Sequence, residues 1–523
     1  MLILKNANII DVNNPAKTDH VLVIDHGQIV AVGDDNVLAQ FAAKAEVQDV
    51  GGGWILPGLT DAHIHLQQFA QSLAKVNVEL PAKEMALAEV ALKAKATPKG
   101  EWIFGHGFQH NDWGGDLPTR QDLDAIAPEH PVYLTGKSLH LGWANSLGLK
   151  LCGIGVSTSD PENGVIVRDK FGEPTGVLLE SAMTLFESRL PVQTSETIAD
   201  QIEQAIPHLW RYGITAVHDF DYRPALVALQ SLDIAGKLKL RVVKNIPVNL
   251  LDHAAGLGLR TGFGSDFLKI GSVKIFMDGA LGAKTAAMID PYQGDPGNLG
   301  ILNMDGEEFF EIAAKAVDSG LGLTGHAIGD KAVHEILNGY ERLRNYEREK
   351  GYKPLRHRIE HVQLLHPLDA PRLAQLDIIA SMQPIHASSD MEAADKYWGN
   401  RVNLSYAWRS QVNAGATLAF GSDSPVESPN PFWGLYAAVN RKKLSAPETE
   451  SWVPDQALDL ATAIRAYTVG AAYAGYQEGQ LGQLRPGFHA DLIVLEKDPF
   501  KCSAAELREL LPISTMVAGN WVL

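Results

Sequence analysis

Eight short apolar runs punctuate the chain between residues 56 and 423, and their spacing restricts the folds open to it. They fall at 56–65, 214–219, 240–245, 272–277, 322–326, 357–361, 378–383 and 417–423. Helical periodicity fills most of the gaps, for example over 307–317 and 331–337. Strand and helix alternating eight times predicts an α/β protein, a (β/α)8 TIM barrel over residues 56–477. One gap breaks the rhythm. Residues 66–213 are too many for one helical crossover and hold strand-like pieces of their own at 102–105 and 132–135. Residues 75–200 therefore read as an insertion after barrel strand one. Such loops open on the catalytic face, so the insertion is expected to cover the active site.

Both ends of the chain have a different texture. Leu2-Ile3-Leu4, Val21-Leu22-Val23-Ile24 and the run 28–32 are short strands divided by turn-like Asp11-Val12-Asn13-Asn14-Pro15 and Asp25-His26-Gly27. Gly51-Gly52-Gly53 marks a boundary, and 490–495 and 515–522 read as strands at the far end. Residues 1–55 and 478–523 are expected to form one small sheet domain, with separate packing as the alternative.

Composition narrows the function classes. Over 523 residues, 46% hydrophobic and 20% charged content suits a globular protein with a sizeable core. A net charge of −17 argues against nucleic acid, which is bound by clustered Lys and Arg. Two cysteines, Cys152 and Cys502, exclude a disulfide framework and a thiolate metal cluster, and fit a reducing compartment. The N-terminus is too short in apolar run for a secretory signal, and nothing approaches the roughly 20 apolar residues of a membrane helix. The expectation is a cytoplasmic protein with no membrane partner, and base rates of assembly make a homodimer the first oligomer to consider.

The chemistry is concentrated at strand ends. Alternation puts Asp61, His63 and His65 on one face, and a His-x-His pair can chelate a divalent cation. In a barrel the strand C-termini meet at one mouth. His326 ends the fifth run, His361 the sixth and Asp423 the eighth; Lys274 sits inside the fourth, sharing a face with Phe276 and Asp278. Singly, each has a bland reading. A lone His is commonly structural, Ser422-Asp423-Ser424-Pro425 would suit a helix cap, and Lys274 could snorkel to water. Together they suggest one shared site.

The motifs Leu56-Pro57-Gly58-Leu59-Thr60-Asp61-Ala62-His63-Ile64-His65, Val273-Lys274-Ile275-Phe276-Met277-Asp278-Gly279, His326-Ala327-Ile328-Gly329-Asp330-Lys331-Ala332, Arg358-Ile359-Glu360-His361, Gly421-Ser422-Asp423-Ser424-Pro425-Val426 and Leu484-Arg485-Pro486-Gly487-Phe488-His489-Ala490-Asp491-Leu492 carry a resemblance. The chain resembles the amidohydrolase superfamily, and within it the YtcJ-like branch of amidohydrolase family 3, nearly end to end. The resemblance also covers a long first-loop insertion and a split β-sandwich built from both termini. It implies a metal centre of one or two divalent ions per subunit, zinc being the first candidate. His63, His65 and Asp423 would hold one metal, and His326 and His361 the second. Lys274 would be carboxylated by carbon dioxide and bridge them; a one-metal site with unmodified Lys274 stays open. An ammonium has no lone pair to offer, so only the carbamate could ligate.

Asp423 is then expected to be the general acid/base. Phe108-Gln109-His110-Asn111-Asp112-Trp113 and Ser138-Leu139-His140-Leu141-Gly142-Trp143-Ala144-Asn145-Ser146 resemble the YtcJ-like insertion, which implies that Trp113 and His140 contact substrate. Asp278, Asp330 and His386 are expected at the mouth, Asp278 by strand position and the others by loop position. Aromatic cover suggests a small-molecule substrate with an apolar portion. The leading function is hydrolysis of an amide, N-acyl or N-formyl C–N bond. Hydrolysis of a cyclic amide, imide or lactone on the same site is the first alternative. An inactive regulatory protein is the second, and the complete set of six ligand candidates argues against it.

Overall fold

The computed structural model describes residues 1–16, 18–108, 110–114, 116–136, 141–162, 164–190 and 193–523, with backbone alone at 111 and 112. The chain divides into two compact units, residues 1–69 with 198–523, and residues 70–197.

The first unit contains the barrel. Its eight parallel strands run, in chain and spatial order, Leu59–Ile64, Ile214–Asp219, Arg241–Pro247, Leu268–Phe276, Leu323–Ala327, Arg358–His361, Ile379–Met382 and Leu418–Phe420. They are called barrel strands one to eight below. A parallel bridge between Ile64 and Ser424 joins the last strand's exit to the first. Parallel strands need crossovers, and helices supply them, including Gly306–Asp318 and Asp330–Lys350. The first of these starts on a capping box at Asp305 and Glu308, which satisfies its leading backbone N–H groups.

The run 56–65 is not one strand. Trp54–Pro57 belongs to a second sheet, and barrel strand one begins at Leu59. The break is at Gly58, where a Cβ would lie 2.2 Å from Thr215 Oγ1 of barrel strand two. Likewise 515–522 is a hairpin. Ser514–Val517 and Asn520–Trp521 pair across Ala518 and Gly519, both in left-handed backbone. Alternation misled here because an apolar run continued through the turn.

That second sheet is built from both ends of the chain, in the order Asn520–Trp521, Ser514–Val517, Leu492–Leu495, Trp54–Pro57, Asn8–Ile10, Thr18–Asp19. A four-stranded sheet, Gln28–Gly33, Val21–Asp25, Leu2–Lys5 and Glu46–Asp49, accompanies it. Leu4, Leu22, Ile24, Ile55, Leu492 and Met516 share one buried cluster, so N- and C-terminal segments bury each other's apolar faces.

The unit formed by residues 70–197 has a six-stranded sheet ordered Gly164–Arg168, Pro174–Glu180, Leu141–Ala144, Val132–Gly136, Ile103–Phe108, Val76–Asn77. Among the described residues, no helix is long and apolar enough to cross a membrane.

Candidate active site

Barrel strands deliver their polar side chains to a cavity of about 320 Å³. His63, His65, Lys274, His326, His361, His386 and Asp423 all line it. Gly421 permits the closure that brings the first and last strands together. A Cβ there would lie 2.4 Å from the His63 amide nitrogen. Asp61 clasps the same seam, accepting from Ser422 N at 3.0 Å and Ser422 Oγ at 2.5 Å. Asp423 N then donates to His63 O at 2.7 Å, and His65 N to Ser424 O at 2.9 Å. The motif Asp61-x-His63-x-His65 is thus stitched to Gly421-Ser422-Asp423-Ser424.

Two site residues depart from ordinary backbone. His361 has φ 76° and Asp423 φ 60°. Strict alternation would aim His361 away from the face used by Arg358 and Glu360; the left-handed turn brings it into the cavity. Such conformations cost about 1–3 kcal/mol each and persist where surrounding structure enforces them.

His63, His326 and His361 each have one nitrogen hydrogen-bonded to an oxygen, and His65 faces carboxylates at ion-pair distance. His63 Nδ1 donates to Glu360 Oε2 at 2.6 Å, and its Nε2 is 3.5 Å from Asp423 Oδ1. His65 Nδ1 is 3.4 Å from Asp221 Oδ1, with Nε2 3.4 Å from Asp423 Oδ1. His361 Nδ1 donates to Gln383 Oε1 at 2.8 Å, and His326 Nε2 to the Gly279 carbonyl at 2.9 Å. One ligand atom from each of His63, His361 and Asp423 lies within 4.8 Å of the others. The ring centroids of His63 and His361 are 5.0 Å apart, and those of His326 and His361 4.6 Å. A hydrogen-bonded Nδ1 or Nε2 leaves the other nitrogen's lone pair available, which is how metal-ligating histidines are oriented.

Protonation agrees with that reading. Burial, reinforced by the Lys274 charge, pushes His63 down to about 4 and His326 to about 3. Burial and the neighbouring His326 hold His361 well below its ordinary value. Neutral imidazole is the metal-binding form. His65 differs: burial opposes its charge, yet Asp221 and Asp423 prevail and lift it to about 9. Burial would raise Asp423, but His63, His65, His361 and His386 outweigh it and keep the carboxyl well below the usual range.

Lys274 Nζ is buried with no hydrogen-bond partner, 4.8 Å from the ring centroids of Phe220 and Phe276. Burial pulls it down to about 8. An orphaned amine among four imidazoles and a carboxylate fits a divalent cation centre, and His63, His361 and Asp423 are the residues whose ligand atoms come close enough to share an ion.

The remaining expected contacts are placed unevenly. His386 lines the cavity, its Nε2 3.6 Å from Asp423 Oδ2. Asp278 is behind the wall, where its carboxylate accepts from Ala287, Ile328 and Gly329 amides at 2.8–3.1 Å. Asp330 is buried too and accepts from Ile289 N. Trp113 donates to Leu80 O and packs on Phe108 within the 70–197 unit. His140 lies outside the described residues, as do Gln109, Ser138 and Leu139 of the same two segments.

Sequence reasoning quoted Arg358 and Glu360 within a motif but gave them no role, and it did not name Phe220 or Asp221. Arg358 donates to both oxygens of Glu360, to Ser381 Oγ and to the Ala62 carbonyl, all inside the barrel. Phe220 stacks under His63 at 3.8 Å. The available signal was parity: Arg358 and Glu360 are charged residues two apart in a strand whose other neighbours are apolar.

The amidohydrolase family model matches residues 46–523. The chain belongs to the amidohydrolase family. It is 31% identical to "Putative amidohydrolase YtcJ" of Bacillus subtilis (strain 168), covering 97% of this chain and 96% of that one. It is 29% identical to an N-substituted formamide deformylase of Arthrobacter pascens, over 99% and 97% of the two chains. The crystal structure of an uncharacterized metal-dependent hydrolase from Pyrococcus furiosus superposes with TM-score 0.80 at 30% identity, covering 96% of this chain and all of that one.

Proposed function

We propose that this amidohydrolase cleaves the C–N bond of a small amide, N-acyl or N-formyl compound at a zinc centre. The observation that carries the reading is the gathering of four imidazoles and Asp423 on one cavity, with His63, His326 and His361 each pinned through one nitrogen. The formamide deformylase relative supports the choice of bond. A divalent cation held by these side chains supplies Lewis acidity, polarising a carbonyl and bringing the pKa of water down to about 7. Lys274, pulled down to about 8 by burial, offers carbon dioxide a free amine more readily than an exposed lysine would. Addition of carbon dioxide to Nζ would release one proton and leave a carbamate, an anionic oxygen donor that could help to hold the metal.

Asp423 moves the proton. Held ionised by the surrounding imidazoles, a carboxylate oxygen takes a proton from the attacking water and returns it to the departing nitrogen. Products are a carboxylate and an amine. Glu360 and Asp221 orient His63 and His65, and Phe220 closes the floor beneath them. Both cysteines are free, which suits a reducing compartment such as the cytoplasm.

The test is a screen of N-formyl amines, N-acyl amines and lactones against zinc-replete protein, with amine release measured. Turnover of amides above lactones is expected. Lactone turnover with no amide turnover would overturn the choice of bond.

A further inference from the structure

The cavity wall is chemically two-sided. On one arc, the end of barrel strand four and the loop after it present Phe276, Ala280 and Leu281, with Phe276 44% exposed. In an eight-stranded barrel the arc across from strand four is that of strand eight and its neighbours. There, beside Val426 and His386, the wall carries acceptors. Asp390 comes from the helix Pro384–Trp398 after strand seven, and Glu427 from the loop after strand eight. Gln363, after strand six, is 4% exposed and donates through Nε2 to His386 Nδ1 at 3.3 Å, which leaves its Oε1 without a partner. Among the described lining residues, Lys274 at the metal centre is the one lysine or arginine. Burial raises the Glu427 carboxyl above its ordinary value, and Asp390 and Asp423 add to the rise against the pull of Ser389 and His386. Tyr406 OH already donates to Asp390, which fixes that carboxylate in the wall. Two carboxylates, with a buried orphan acceptor joined to them through His386, face the cavity with no lysine or arginine opposite them and have acceptor capacity left for a donor.

We infer that the Asp390–Glu427–Gln363 arc is a subsite for a protonated amine, so that the substrate is a mono-N-acylated or mono-N-formylated diamine. The inference rests on the amide-hydrolase reading. The hydrocarbon spacer would lie along Phe276 and Leu281, and the far ammonium would meet Glu427 and Asp390. The reaction balances as acyl-NH-(CH2)n-NH3⁺ plus water giving carboxylate plus the doubly protonated diamine. The C–N bond breaks, a C–O bond forms, and both water protons end on the leaving nitrogen. A net charge of −17 favours the approach of such a cation.

Three compounds of matched length test it on zinc-loaded protein: N-formyl-1,5-diaminopentane, N-formylhexylamine and N-formyl-6-aminohexanoate. The cation is expected to exceed the neutral isostere in kcat/KM by about tenfold, and the anion to fall below both. Glu427→Gln should collapse the cation-to-neutral ratio several-fold, Glu427→Asp should retain more of it, and Asp390→Asn gives an independent second variant. Added salt should shrink the ratio in the parent protein. Calorimetric binding of 1,5-diaminopentane is read in parallel. Hydrolysis of all three at similar efficiency, with no diamine binding, overturns the subsite and leaves the amide reading standing. Diamine binding that Glu427→Gln weakens, with no amide hydrolysed, upholds the subsite and overturns the amide reading. No diamine binding and no turnover overturns both.

Discussion

Glu360 Oε2 lies 2.6 Å from His63 Nδ1, and both side chains are buried at the centre of the barrel. The same carboxylate receives Arg358 and Thr324 Oγ1, so one group sets the His63 ring and balances a buried guanidinium. Removing its charge should do two things at once. Glu360→Gln is expected to weaken zinc binding by about 10–100-fold, since oriented ligand histidines depend on such partners. It should also lower stability by about 3–5 kcal/mol, because Arg358 keeps its charge and loses its counter-ion. Competition with a chromophoric chelator and urea unfolding separate the two effects. Unchanged zinc affinity in a folded variant would remove Glu360 from the ligand framework.

Asp221 should matter to the metal more than to the fold. It faces His65 Nδ1 and also accepts from Gln67 N and Gln68 Nε2. Asp221→Asn keeps the size and loses the charge. Faster zinc loss to a chelator, by about tenfold or more, is expected with a smaller change in unfolding midpoint. The reverse pattern would make Asp221 a loop anchor only.

Asp423→Asn should leave secondary structure intact and cut kcat by at least about 100-fold, the lower range for a positioned general base. Circular dichroism and amine-release kinetics check it. Full turnover in this variant would assign proton transfer to another group.

Much of this was legible in the sequence, for identifiable reasons. The barrel was readable because parallel buried strands are continuous apolar runs, and His63, His65, His326, His361 and Asp423 sit where those runs stop. Legibility ended where a residue acts through three-dimensional pairing. Asp61 and Ser422 are 361 positions apart yet hydrogen-bonded, and Glu360 reaches His63 over 297. Asp278 shares the face of Lys274 by parity, but the backbone amides of Ala287, Ile328 and Gly329 claim its carboxylate. Nothing in local periodicity records those partners.

Gly421→Ala tests the seam directly. The added methyl would lie 2.4 Å from His63 N and 2.7 Å from Asp61 Oδ1. Overpacking of this kind costs about 1–3 kcal/mol, and here it pushes on His63. Both the thermal midpoint and zinc affinity should fall together. A stable variant with normal zinc affinity would show that the seam has slack.

Acid should find one weak point away from the metal. Burial would raise the Glu347 carboxyl, but His357 and Arg344 outweigh it and hold it at about 2, below its ordinary 4.5. A depressed carboxylate adds stability above its unfolded pKa and loses it as pH falls through the folded one. Stability should therefore drop between about pH 4.5 and 2, more steeply in the parent than in Glu347→Gln. Parallel pH curves for the two proteins would contradict this.

The measurement that bears most directly on the whole account is metal content by plasma mass spectrometry after zinc loading and gel filtration, for the parent protein and for His63→Asn with His361→Asn. The account predicts one or two equivalents in the parent, under about a tenth of an equivalent in the double variant, and amide hydrolysis that follows the metal. A folded parent protein that emerges without zinc, manganese or iron would contradict it.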